Sequence, residues 1–76
     1  MQEKFIELFK ETLDIEDREI QLSDKFREYE EWNSLAYLSV IAMLDEEYEV
    51  IIEGAAFKEL RTLDELYKEI QVRSVL

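Results

Sequence analysis

The sequence predicts an all-α fold with three main helices, one short helix and a long loop between the first two helices. Apolar residues recur at helical spacing in three segments, which is typical of amphipathic helices. There are no prolines and only one glycine, so little interrupts these segments. The β-prone run Val50-Ile51-Ile52 has three residues and no partner strand, and we expect an extended connector there.

The first predicted helix covers about residues 2–13 and is followed by a long loop. Four apolar residues of this helix fall on one side: Phe5, Ile6, Phe9 and Leu13. From Asp14 to about Trp32 the periodicity breaks, and turn-forming side chains surround four apolar anchors: Ile15, Ile20, Leu22 and Phe26. Connections longer than about 12–15 residues are uncommon in small domains and usually have a function.

The second predicted helix runs from about Ser34 to Tyr48, with Asn33 as a strong N-cap type. Spacing of about 100° per residue puts five apolar residues on one stripe, predicted to face the core: Tyr37, Val40, Ile41, Leu44 and Tyr48. Roughly opposite lie Leu35, Ser39, Ala42 and Glu46. Apolar residues on that second side indicate either another buried contact or a docking surface.

The last part of the chain predicts a short third helix and a longer final one. Residues 54–60 can form the short helix, anchored by Phe57 and Leu60. The run Thr62-Leu63-Asp64-Glu65 matches the capping box that starts a helix. Four residues of the final helix are predicted to point inward: Leu63, Leu66, Tyr67 and Ile70. Tyr37, Tyr48 and Tyr67 are all expected to be core aromatics.

The composition predicts one small domain spanning residues 1–76, because a chain this short buries only about 60% of its unfolded surface. The formal charge is −11, from 9 Lys and Arg against 20 Asp and Glu. Such a charge repels nucleic acid and anionic membranes and attracts proteins with basic surfaces. No signal peptide or membrane-spanning stretch is recognised, so we expect a soluble cytoplasmic monomer.

The chain has neither cysteine nor histidine, which restricts the chemistry that it can perform. A disulfide, a thiolate site and the usual general base are all excluded. Catalysis by a pair of carboxylates is an alternative, but no pair has an evident reason for a shifted pKa. We expect no enzyme activity, and no metal site because the spacing and glycine of an EF-hand are missing.

The stretch from Trp32 to Tyr48 resembles the acyl carrier protein family, whose signature is Asp-Ser-Leu opening a helix that ends in an acidic run and an aromatic residue. Here the triplet is Asn33-Ser34-Leu35, and the helix ends in Asp45-Glu46-Glu47-Tyr48. The resemblance extends over almost the whole chain. Apolar anchors fall where the family has them: Phe26, Ile52, Phe57, Leu60, Leu63 and Ile70.

This resemblance implies a four-helix bundle that carries a 4'-phosphopantetheine arm on Ser34. A phosphopantetheinyl transferase would attach the arm from coenzyme A, and its thiol would hold an acyl, aminoacyl or peptidyl group as a thioester. Loading and transferring enzymes of fatty acid or secondary metabolite biosynthesis would then be the partners. The implied recognition residues are Asn33, Leu35, Ser39, Ala42, Asp45 and Glu46.

The residues at the start of the second helix allow this chemistry. Asn33 and Ser34 can both cap a helix, but if Asn33 is the N-cap the Ser34 hydroxyl is free to be esterified. A phosphodiester there would lie at the positive end of the helix dipole, which stabilises an exposed anion by about 0.3–1 kcal/mol. The simpler alternative is that Ser34 is an ordinary helix-start serine.

Two departures from the family pattern keep a second function open. Asn33 stands where the family usually has Asp, and Ser39 replaces a frequent acidic docking residue. The alternative function is an unmodified interaction module that binds or regulates a basic partner enzyme through the acidic helix face. Trp32 either staples the long loop to the bundle or lies exposed near the arm.

Overall fold

The computed structural model describes residues 2–74. Its regular elements in that range are helices, with no strand. The helices are α1 (Gln2–Leu13), α2 (Ser34–Tyr48), α3 (Gly54–Phe57) and α4 (Leu63–Arg73), with one 3₁₀ turn at Phe26–Glu28. The predicted long loop thus occupies residues 14–33, and residues 50–53 are the extended connector that the sequence predicts. No helix in the described range is long and apolar enough to cross a bilayer.

The aromatic residues of α1 and the loop form the centre of the core. Phe26 is fully buried, and its ring centroid lies 5.9 Å from Phe9, 5.8 Å from Phe57 and 5.0 Å from Trp32. Phe5 extends the cluster from α1 to α4 through Tyr67, at 5.4 Å. One cluster of rings therefore connects α1, the loop, α3 and α4.

The long loop is fixed to α4 by backbone hydrogen bonds. The N–H of Leu63 donates to the carbonyl of Asp24 at 3.1 Å, and the N–H of Asp64 donates to the carbonyl of Leu22 at 2.8 Å. These are N–H groups of the first helical turn, which have no partner within the helix. The loop therefore caps α4 as well as connecting α1 to α2.

An ion pair connects the two ends of the long loop. The guanidinium of Arg18 donates to both carboxylate oxygens of Glu31, at 2.9 and 2.8 Å, and lies 5.2 Å from the centroid of the Tyr29 ring. The hydrogen bond from Arg18 lowers the pKa of Glu31 to about 2. Two-point contacts of this kind fix geometry better than a single exposed pair.

The buried side of α2 differs from the predicted stripe. The buried residues are Ala36, Val40, Met43 and Leu44. Tyr37, Ile41 and Tyr48, which the prediction placed in the core, are only partly buried at its edge. Because α2 carries apolar residues on nearly every side, helical spacing alone did not identify which of them face the core. In α4, by contrast, all four predicted inward residues are buried.

The short helix α3 ends earlier than the predicted Leu60. It stops at Phe57, and residues 58–59 form a turn. The guanidinium of Arg27, from the loop, donates to the carbonyl oxygens of Phe57 and Leu60. The carbonyl of Phe57 also accepts the N–H of Leu60 at 3.0 Å, so the chain after α3 continues as a tight turn that Arg27 holds to the loop.

At the C-terminal end of α2, backbone hydrogen bonds stabilise the helix and the acidic side chains destabilise it. Glu49 adopts the left-handed conformation with φ 55°, which lets the N–H of Val50 reach the carbonyl of Leu44 at 3.2 Å. Asp45, Glu46, Glu47 and Glu49 are acidic, although a helix C-terminus favours cations. The position of these charges is therefore not explained by the stability of α2.

Replacing Glu49 with glycine is expected to stabilise the protein. A non-glycine residue in the left-handed region costs about 1 kcal/mol, and relieving it raises the melting temperature of a domain of this size by about 4–8 °C. Thermal unfolding followed by circular dichroism measures the shift. Glu46→Gly, inside α2, is the matched control and should lower the melting temperature. A melting temperature for Glu49→Gly at or below that of the original protein would contradict the prediction.

The Arg18–Glu31 pair should make stability depend on pH in a defined window. Because folding lowers the pKa of Glu31, its contribution is complete above the pKa of about 4.3 in the unfolded chain. That contribution is lost as the pH falls towards the folded value of about 2. Glu31→Gln should therefore be less stable than the original protein at pH 7, with a smaller difference at pH 3.

Urea unfolding of both proteins at the two pH values measures this difference. Asp17→Asn is the control, because Asp17 is exposed and 3.4 Å from Arg18, and it should cost less at pH 7. A penalty for Glu31→Gln that is the same at both pH values would show that the ion pair is not its source.

Candidate functional site

The start of α2 leaves the hydroxyl of Ser34 free. Asn33 is the N-cap, and its side-chain oxygen accepts the N–H of Ala36 at 2.8 Å. Ser34 is exposed at the first helical position, and its hydroxyl has no hydrogen-bond partner among residues 2–74. The capping arrangement predicted from the sequence is therefore correct, and it leaves the Ser34 hydroxyl out of the cap.

Helices α2 and α4 differ in how many first-turn N–H groups are left to bind an anion. In α4 the first-turn N–H groups have protein acceptors, supplied by the loop carbonyls and by the side chain of Thr62 at 3.2 Å. At α2 the N–H groups of Ala36 and Tyr37 are bonded to Asn33, but those of Ser34 and Leu35 have no acceptor in the described chain. A phosphate on Ser34 would meet these two donors at the positive end of the dipole.

A cavity of about 460 Å³ lies directly beside Ser34. Its walls come from the loop, the start of α2, and α3: Arg27, Trp32, Asn33, Ser34, Tyr37, Gly54, Phe57 and Lys58. Arg27 and Lys58 are cationic, and no carboxylate is among these wall residues. Three other surface cavities of the described chain each have three or more carboxylates in their walls. In a protein with a charge of −11, this cavity is a local exception.

Trp32 forms the connection between the core and this cavity. Its ring is nearly parallel to those of Phe9 and Phe57, at 6.4 and 6.2 Å, and meets Phe26 edge-on. Partly buried, it also lines the cavity beside Ser34. The prediction offered two alternatives, a staple for the loop or an exposed position near the arm. The ring contacts agree with the staple, and Trp32 is partly buried rather than exposed.

The predicted recognition residues lie on the exposed side of α2. Leu35 is 74% exposed, and Ser39, Ala42, Asp45 and Glu46 are also exposed. Ser39, Ala42 and Glu46 border a groove that α1 completes. Asn33 is exposed at the end of this side, with its oxygen engaged as the cap.

Sequence reasoning missed three residues of this region. Leu38 is 60% exposed and follows Ser34 by one helical turn, so the spacing of α2 could have indicated it. Lys58 is distant from Ser34 in sequence and Arg27 lies in the irregular loop before it, so only the fold brings both to the cavity. No local sequence pattern predicts that these two cationic residues lie beside Ser34.

A family model for the phosphopantetheine attachment site matches residues 3–70, from α1 into α4. The chain belongs to the phosphopantetheine attachment site family. Comparisons with curated proteins and with solved structures gave no match. The all-helical architecture agrees with the acyl carrier protein-like bundle, so the predicted family and fold class are both confirmed.

Carrier domains of this family hold a covalently attached 4'-phosphopantetheine and work with a phosphopantetheinyl transferase and acyl-handling enzymes. The predicted cofactor and the coarse role as a phosphopantetheine carrier are confirmed. The group supplies a thiol, which the chain lacks because it has no cysteine. Domains of this family are generally not catalytic themselves. The assignment of the attachment to Ser34 stays a prediction.

The residues of this chain fit such a group at the start of α2. An exposed hydroxyl is present, two backbone N–H groups beside it lack acceptors, and the adjacent cavity carries two cationic side chains. Residues 2–74 contain no group of three or more Asp or Glu side chains arranged to hold a metal ion.

Proposed function

We propose that this protein carries an acyl, aminoacyl or peptidyl group as a thioester on a phosphopantetheine arm attached to Ser34. The observation that supports it most is the free, exposed hydroxyl of Ser34 at the first position of α2, directly after a cap supplied by Asn33. This exposed hydroxyl lies beside two helix N–H groups that lack acceptors, those of Ser34 and Leu35. It also lies beside a cavity with two cationic side chains.

In the attachment reaction, the oxygen of Ser34 forms a bond to a phosphorus of coenzyme A while the diphosphate bridge breaks and the nucleotide part leaves. The hydroxyl proton goes to a base of the transferase, since the chain has no histidine to accept it. The N–H groups of Ser34 and Leu35 are placed to stabilise the phosphodiester oxygens. The chain thus provides the acceptor atom and anion stabilisation, and its partners provide the acid–base chemistry.

The exposed side of α2 supports docking in two parts. Near Ser34 it is apolar, with Leu35 and Leu38 largely exposed. Beyond Ala42 it is acidic, because Asp45 and Glu46 are exposed at the end that the dipole disfavours for carboxylates. Exposed charges mainly accelerate encounter, whereas apolar contacts at the centre of an interface provide most of the affinity. A partner would therefore be steered by the acidic end and held beside Ser34.

Incubation with coenzyme A and a promiscuous phosphopantetheinyl transferase should increase the intact mass by one arm. Ser34→Ala should abolish the gain, because the acceptor oxygen is removed while the cap on Asn33 remains. Mass spectrometry of the intact protein measures it. Ser23→Ala, which removes an exposed hydroxyl in the loop, is the matched control and should gain the arm normally. No gain with several transferases would overturn the proposed function.

Reversing the charges at Asp45 and Glu46 to lysine should slow this modification by about tenfold at low salt, because steering by the acidic end is lost. The initial rate of mass gain at low and high salt measures the effect, and the variant should depend less on salt. Glu7→Lys with Glu16→Lys makes the same change in net charge on exposed residues outside α2. If both pairs slow the reaction equally, net charge rather than a docking surface is responsible.

The second candidate function is an unmodified interaction module that binds a basic enzyme through α2. The feature that favours it is Asn33, a neutral residue where the family usually has an acidic one. This candidate predicts no mass gain with any transferase and unchanged partner binding by Ser34→Ala. The intact-mass measurement therefore decides between the two functions.

A further inference from the structure

Because the cavity of about 460 Å³ includes Ser34 in its wall, the part of an arm that reaches it is the part closest to the attachment point. In phosphopantetheine that part is a phosphodiester followed by a branched dimethyl segment, and the amides and thiol come later. A cavity beside Ser34 would therefore contact first an anion and then a compact apolar group. Its size is within the range of small-molecule sites.

The walls of the cavity match this order. Lys58 is exposed and its ammonium has no ion-pair or hydrogen-bond partner among residues 2–74, so it is available to an anion. The charge of Arg27 is held at the cavity by its bonds to the carbonyls of Phe57 and Leu60. Trp32 and Tyr37 contribute aromatic surface for the apolar segment.

Resting on the proposed function, we propose that this cavity holds the proximal half of the arm, with the phosphodiester facing Lys58 and the dimethyl segment against Trp32. The thiol and its cargo then lie outside the cavity. The protein is thus a carrier that presents its cargo to partners instead of enclosing it.

A weak interaction is sufficient for this arrangement because the arm is tethered. A short flexible tether gives an effective concentration in the millimolar range, so an intrinsic Kd of about 1 mM fills the cavity about half of the time. Weak holding also suits a carrier, since a partner enzyme can withdraw the arm at little cost.

Trp32 is the only tryptophan of the chain, so its fluorescence reports on the cavity directly. Acrylamide is used as the quencher because it is neutral and does not respond to changes in protein charge. At half occupancy or more, attaching the arm should lower the quenching constant of Trp32 by about half. The same quenching constant before and after a confirmed mass gain would overturn the inference while leaving the proposed function intact.

Lys58→Glu tests the phosphodiester contact, and Lys4→Glu on α1 is the matched control of equal charge change. Both side chains are exposed, and circular dichroism confirms the fold of each variant. In each variant, the protection is the decrease in the Trp32 quenching constant when the arm is attached. Lys58→Glu should lose about half of this protection or more, and Lys4→Glu should keep it. Equal protection in the two variants would contradict a role for Lys58.

The thiol provides an independent readout, because a chain without cysteine contains no other thiol. The arm's thiol should react with the neutral reagent 4,4'-dithiodipyridine within about twofold of the rate of free pantetheine, since only the proximal half is held. A much slower reaction would show that the whole arm is enclosed and would overturn the proposal. Equal protection of Trp32 in Ser34→Ala by micromolar dissolved coenzyme A would assign the cavity to a free nucleotide and overturn it as well.

Discussion

The burial of Phe26 is the constraint on which the rest of this structure depends. The loop of residues 14–33 is too long to be ordered by its ends alone, and fixing each backbone residue costs about 1–2 kcal/mol. Phe26 compensates by contacting Phe9, Trp32 and Phe57 while it is itself completely buried. With that ring in place, the loop carbonyls reach the start of α4 and Arg27 reaches the end of α3. The cavity beside Ser34 is a consequence, because two of its walls belong to elements that Phe26 holds together.

Helix stability does not explain the distribution of charge along α2. Carboxylates cluster at the C-terminal end of α2, where the helix dipole opposes them, and are absent from its first turn, where they would be favourable. The start of α2 is instead neutral, has two N–H groups without an acceptor, and lies next to Arg27 and Lys58. An acidic protein thus keeps one region that can accept an anion.

The parts of the fold that the sequence predicted correctly are those set by local patterns. The N-cap on Asn33, the capping box at Thr62 and the inward face of α4 depend on residues within a few positions of each other. The core face of α2 was misplaced because apolar residues surround that helix and only its neighbours decide which side is buried. Lys58 was missed as a cavity residue because its approach to Ser34 depends on the position of α3, which no local rule fixes.

Asn33 caps α2 without contributing a charge. Asn and Asp cap a helix about equally well, so the neutral residue preserves the start of α2 and the free hydroxyl of Ser34. An aspartate there would put a negative charge next to the proposed phosphodiester, and the two anions would repel each other. With Asn33 this repulsion is absent and the cationic cavity is not neutralised. The substitution therefore removes one repulsion from the proposed modified state, and its cost falls on the encounter with the transferase, where a neighbouring charge would have helped steering.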